Sequence, residues 1–387
     1  MAFRKGTSLV VLLSLISKSN AAVHFESWYG QFREVLEEIV RGDCQQEYQV
    51  YLTKEAPKDY LSMTITPVVD CILEHLNETR KSNIAAAAVL LGLLPTTLGG
   101  VGSTTVEVGL VALRRPFLAF LLAAGAPAVS PLRTFDYVDT KELLAKKPGT
   151  AKIVTMGSTA NTLISSFEYV MAASAVVNLA VVSYELCIQT VCSFAPEDAF
   201  LPALWAFLAI AVHFFGTWSV YLRTRIMLLE PKATRSWTQH IWRRICAEFT
   251  PSAAREVARL EIRDETYLYI FLSWFTSMGT VLHIVYGTLA FSSILFISTS
   301  DAVTVVARYL ASTLVCRAIV MYELSGLRQV TTHRRSGSHG GPEFMPLEPR
   351  AGHSLLNIGR SHSWQSKISG RTEEWQLLRS SGRHGEA

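Results

Sequence analysis

Charge is what this sequence has least of. Asp, Glu, Lys and Arg supply 18% of its 387 residues, while 49% are hydrophobic and the mean hydropathy is +0.25. An ordinary soluble domain is about a quarter charged, so the shortfall argues against a soluble globular protein. Chemistry-bearing motifs are also missing. There is no H-E-x-x-H, no G-x-S-x-G and no C-x-x-C, which removes the familiar signatures of zinc sites and acyl-transfer enzymes. "LGGVGSTTVEVG" is glycine-rich but lacks the Lys-Ser/Thr frame of a phosphate-binding loop. No catalytic residue, metal ligand set or cofactor is therefore predicted, and no enzymatic activity is expected. A basic, aromatic-interleaved module for nucleic acid is absent too.

What the chain does have is long apolar runs. They cover Ile84 to Val101, Phe117 to Val129, Thr159 to Tyr184, Ala199 to Leu222, Tyr267 to Ile297 and Ala302 to Tyr322. In lipid the backbone must satisfy its own hydrogen bonds, so these runs read as helices. The expected fold class is all-α: a multi-pass helical membrane protein with a small lumenal or extracellular helical N-terminal domain and a disordered cytosolic tail.

The start, with Arg4 and Lys5 before the apolar stretch Leu9 to Ile16 and then "KSNAA", reads as a signal peptide over 1–21. Residues 22–83 then form the lumenal domain. Trp28, Phe32, Leu36 and Val40 recur at helical spacing, and Val68, Ile72 and Leu76 mark a second helix from Pro67. Asn77-Glu78-Thr79 closes the domain with a glycosylation sequon.

Loop charge sets the orientation. The segment 223–265 holds 9 Lys/Arg against 6 Asp/Glu, and Leu327 to Ala387 holds 9 against 5, whereas 22–83 holds 11 acidic and 6 basic residues. Positive loops stay cytosolic. Helices are expected at 84–101, 159–184, 199–222, 266–297 and 302–324, with a cytosolic loop at 131–158 and a lumenal one at 185–198. The stretch 102–130 must return to the side it left. Pro116 to Ser130 makes only about 22 Å of helix against about 30 Å of hydrocarbon, and lengthening it draws in Arg114 and Arg115 at about 3 kcal/mol each. A re-entrant or interfacial hairpin is expected, with both arginines at the cytosolic face; a further crossing is the alternative.

The cysteines fit this arrangement. Cys44, Cys71, Cys187 and Cys192 fall on the oxidising side, and local pairing, Cys44 with Cys71 and Cys187 with Cys192, makes the least topological demand. Within the spans lie five ionisable residues: Glu168, His213, His283, Arg308 and Arg317. They read either as structural ion pairs or, in the sharper version, as a buried pair of Glu168 with Arg308 or Arg317 on a proton or solute path. Pro95 is expected to kink the first span.

In the cytosol, "SWTQHIWRRICAEF" suggests an amphipathic helix lying on membrane lipid or docking under the bundle, and "SAAREVARLEIRDE" a second helix running into the next span. The tail from 325 is polar and expected to be disordered. Its Ser336, Ser338, Ser361 and Ser363 stand beside basic residues and are candidate phosphorylation sites. "AAVLLGLLPTTLGGVGS" followed by "RRPFLAFLLAAGAPAVSPLRTFDY" resembles uncharacterised multi-pass membrane proteins of filamentous fungi, mainly over Cys71 to Leu144. The resemblance implies a membrane location and no residue roles. The function expected from sequence is that of a non-enzymatic structural or interaction protein of the plasma membrane or secretory pathway, meeting protein partners through its lumenal domain and tail. The alternative is a small-solute or proton-coupled transporter or channel.

Overall fold

A computed structural model describes residues 24–53, 65–131, 158–228, 242, 245–254 and 258–337. The chain is mostly helical, and five helices are long and apolar enough to cross a membrane: Glu78–Val101, Thr159–Gln189, Leu201–Arg223, Tyr267–Ser292 and Thr299–Val330. It is a multi-pass membrane protein on that ground. The signal peptide, most of the 131–158 loop and the tail beyond 337 lie outside the described residues.

Three short helices, α1 (Arg33–Arg41), α2 (Gln45–Thr53) and α3 (Ile65–His75), make a cap. The apolar positions read from the periodicity are its core, with Trp28, Phe32, Leu36, Val40, Val68, Ile72 and Leu76 all buried. Sequence reading missed α2, whose nine residues include no buried side chain to set a period. The cap sits on one end of the bundle. Trp28 meets Phe296 edge-on at 5.6 Å, and Phe296 is fully buried at a φ of 65°, unusual for so bulky a residue. Asn83 Oδ1 accepts from the Thr299 backbone N–H at 2.7 Å, and Gln31 Oε1 accepts from Ser300 Oγ at 2.7 Å.

The first apolar run is broken once, and a second break follows at its end. α4 (Glu78–Gly92) ends just before α5 (Leu94–Val101), where Pro95 in the first turn lacks the N–H that would continue α4. Gly102 turns extended, and Thr104 starts α6 (Thr105–Ala112) with a reciprocal capping box to Glu107. Next, Arg115 is held out of the helical region before Pro116, which opens α7 (Pro116–Gly125). Pro127 and Pro131 keep the following residues from extending α7.

The remaining helices are α8 (Ser158–Gln189), α9 (Leu201–Arg223), α10 (Tyr267–Ser292) and α11 (Thr299–Gly337). Four short strands modify the all-α expectation. β1 (Val191–Cys192) pairs antiparallel with β4 (Ile294–Leu295) under the cap, and β2 (Thr224–Leu228) with β3 (Ala258–Ile262) at the other end. The second ladder corrects the helix expected over "SAAREVARLEIRDE". Arg223 binds Glu265 at 2.6 Å and the Arg263 N–H reaches the Arg223 carbonyl at 2.8 Å, so the chain on either side is drawn together and pairs. At the C-terminus, α11 runs to Gly337, and Leu327 and Val330 are buried. The first thirteen residues assigned to the disordered tail, 325–337, are thus helix.

Close approaches at glycine fix the direction of each piece. Gly92 lies on Ser292 and Gly99 on Ile284, so α4 and α5 descend antiparallel to α10 from its capped end. Gly216 lies on Thr105, and Gly109 on Thr217 and Val220, so α6 continues alongside α9 toward Arg223. α7 then turns back: Gly125 meets Cys316, Ala175 and Val176. Its extended continuation pairs with the α5–α6 break, Ser130 N–H donating to the Ser103 carbonyl at 3.2 Å.

Candidate functional site: a buried ionic centre

Arg115 is the centre of the site. It is fully buried within the protein. Its Nη1 donates to Glu168 of α8 and, at 2.8 Å, to Oε1 of Glu323 of α11. Nη2 donates to Ser165 Oγ at 2.6 Å, and Nε to the Glu248 carbonyl at 2.9 Å. Snorkelling is not available at a corner enclosed by α8, α11 and the 245–254 segment, so the guanidinium recruits carboxylates instead.

The same corner fastens the segment 245–254. Glu323 Oε2 accepts from Ser252 Oγ at 2.6 Å and from its N–H at 3.2 Å. Glu248 Oε1 accepts from the Phe117 and Leu118 N–H groups at 3.0 and 3.1 Å, capping α7, and from Tyr169 Oη at 2.8 Å. Arg114, also buried, lies within electrostatic reach of Glu323.

Two further ion pairs tie α11 to its neighbours. Arg308, half-buried, binds Glu185 of α8 at 2.5 Å, and its Nε donates to Asn178 Oδ1 at 3.0 Å. Asn178 Nδ2 donates in turn to Ser312 Oγ at 2.8 Å. Arg317 pairs with Glu107, the acid of the α6 capping box. Glu168 is therefore brought to Arg115, not to Arg308 or Arg317 as expected. Between the Arg308 and Arg115 groups, Ala172, Ala175, Gly125 and Cys316 pack small side chains closely.

His213 and His283 are buried on the facing helices α9 and α10. His283 stacks on Trp205 at 5.1 Å and its Nε2 lies 2.9 Å from the Trp205 carbonyl. A carbonyl only accepts, so this nitrogen carries the proton. His213 is hydrogen-bonded to the backbone of Ala128, in the extended chain after α7. Both histidines hold irregular or facing backbone in place, and neither contacts the Arg115 centre.

On the cap, Cys44 and Cys71 form the expected disulfide, with Cα atoms 5.9 Å apart. Cys187 and Cys192 are free, contrary to the expected pairing. The β1–β4 ladder holds Cys192 so that Sγ faces the Ala290 carbonyl at 3.9 Å, and burial pushes its thiol up to about 11. Among the described residues one trio has metal-ligand spacing, Cys44, Cys71 and His75, and the disulfide consumes both sulfurs. Asn77 is exposed and caps α4, its Oδ1 accepting from the Arg80 N–H at 2.9 Å. Ser336 falls in the last turn of α11, while Ser338, Ser361 and Ser363 lie outside the described residues.

Sequence reading missed Arg115 as the partner of Glu168, and missed Glu107, Glu185, Glu248 and Glu323 altogether. A signal was present. Glu107, Glu168, Glu185 and Glu323 lie in or beside apolar runs, as do Arg114, Arg115, Arg308 and Arg317, so buried acids match buried bases. Compared with known protein families, curated proteins and solved structures, the chain matches none.

Proposed function

We propose that this protein moves a small solute or protons across its membrane. The observation that carries the reading is the irregular backbone that ends the first run, with α5 and α6 separated at Gly102–Thr104 and the extended chain 126–131 lying against the break. Irregular backbone at membrane depth is tolerated where protein or a water-lined path encloses it, and discontinuous helices are a recurrent device of transporters. Ion pairs of α11, one half-buried and one fully buried, stand on either side of the small-residue seam, as expected of groups that bias two arrangements of a bundle.

The orientation expected from loop charge puts the cap on the lumenal or extracellular side and Arg115 toward the cytosol. Purified protein in liposomes, given an imposed pH gradient and a pH-sensitive dye, is expected to dissipate the gradient faster than empty liposomes. Equal rates over a range of protein densities, with correct folding, overturn proton movement.

A second reading, an interaction protein, has one observation in its favour. The cap carries an open cleft of about 330 Å³ lined by Phe25, Glu26, Glu37, Val40, Arg41 and Tyr48. Crosslinking through the cleft to a specific neighbour, with no flux in liposomes, supports that reading instead.

A further inference from the structure

The charges at the Arg115 corner do not balance. Two guanidinium groups, Arg114 and Arg115, stand near three carboxyl groups: Glu168 and Glu323 bind Arg115, and Glu248 gives it only a backbone carbonyl. Glu248 is matched by the N-terminus of α7 and by Tyr169, and both oxygens of Glu323 are engaged by Arg115 and Ser252. Glu168 differs. Its Oε2 faces Arg115, and its Oε1 is buried with no donor. Glu168 Oε2 and Glu323 Oε1 also converge on one nitrogen, Arg115 Nη1, which sets the two carboxyl groups side by side. Two ionised carboxylates in that relation, away from water, repel; one proton turns the repulsion into a hydrogen bond.

We propose that Glu168 and Glu323 form a proton-binding dyad, with one proton resident on Glu168 and donated toward the Glu323 carboxylate. The groups that face the dyad are Arg115 at the α6–α7 corner, Arg114 beside it, Tyr169 on α8, Tyr322 on α11, and Glu248 of the adjoining segment. None of them supplies the missing donor to Glu168 Oε1.

The dyad is coupled to a latch. With Glu168 neutral, Arg115 neutralises Glu323, and Glu323 holds Ser252. When the Glu168 O–H bond breaks and the proton passes to water at this end of the bundle, Glu168 becomes a second full negative charge beside Glu323. Arg115 is drawn to Glu168, the Glu323–Ser252 contact weakens, and the 245–254 segment loosens from α7 and α11. Protonation closes it again. This mechanism rests on the transport reading for its purpose, but the dyad itself does not.

Infrared spectroscopy of the purified full-length protein across a pH series tests it without any flux measurement. A carboxylic-acid C=O band, shifted by H/D exchange, is expected in the wild type at neutral pH and absent from Glu168→Gln. Glu323→Gln, which leaves Glu168 alone on Arg115, is expected to lose the same band as Glu168 ionises. A wild-type spectrum with no such band, or a band that persists in both variants, overturns the dyad. The band without flux leaves the proton site standing and removes the transport reading; flux without the band does the reverse.

Discussion

Arg115 shows how strongly a single buried charge organises its surroundings. Removing one partner of a buried pair leaves the other unmatched, at about 3–5 kcal/mol. Arg115→Met is therefore expected to lower detergent-solubilised stability by about that amount. Arg308→Met, at a half-exposed pair, is expected to cost nearer 1 kcal/mol. Thermal unfolding of the two variants checks the ranking, and equal losses contradict it. His24 gives the cap a pH dependence. Burial holds its imidazole below the ordinary histidine value, and Nδ1 has no partner. The unfolded chain then takes up a proton that the folded cap refuses, so this stabilisation is complete above about pH 6.5 and fades as pH falls. Trp28 fluorescence should report cap melting several degrees lower at pH 5 than at pH 8. His24→Phe should flatten that difference, and an unchanged slope would exclude His24 as its origin. The ionisable residues in the spans were legible because charge is conspicuous in an apolar run. Their partners were not, because pairing depends on depth along helices far apart in sequence: Arg115 and Glu323 are 208 residues apart.

Elements were legible where a period or a breaker stands in the sequence. The cap helices with an apolar face were found and the faceless α2 was not. Pro95 and Pro116 mark real breaks, and the long runs became long helices. The β2–β3 ladder was not legible, since "ARLEI" suits a helix until the ends of α9 and α10 are brought together. Close packing of elements is sharpest at glycine. A Cβ at Gly216 would stand 2.5 Å from Thr105 Cβ, and one at Gly287 would stand 2.2 Å from Trp205 Nε1. Gly216→Ala and Gly287→Ala are each expected to cost about 1–3 kcal/mol through forced separation of the helices. Gly100→Ala, which meets nothing within 4 Å, serves as the control in the same melting experiment. A similar loss from all three would show that helix approach is not the cause. The cap disulfide closes a span of 27 residues. Cys44→Ser with Cys71→Ser should lower cap stability by about 3 kcal/mol, read as earlier proteolysis of 24–76 with the bundle intact.

At the scale of the whole molecule, five apolar helices, a disulfide-tied cap and a bundle tied by ion pairs form one arrangement. Membrane sidedness comes from the sequence, through loop charge, and Asn77 offers a test. Thr79→Ala removes the sequon while keeping the Asn77 cap of α4. If the cap is lumenal, the wild type should show a glycosidase-sensitive mobility shift that the variant lacks. The central claim is that the broken first run and the Arg115 centre together move protons or a proton-coupled solute. Dye-reported proton flux in liposomes, comparing wild type with Glu168→Gln at matched density and folding, tests it most directly. Wild-type flux well above empty liposomes, reduced at least about tenfold in Glu168→Gln, equivalent to about 1.4 kcal/mol of added barrier, is the predicted result. Wild-type flux no greater than that of empty liposomes, or flux untouched by Glu168→Gln, would contradict it.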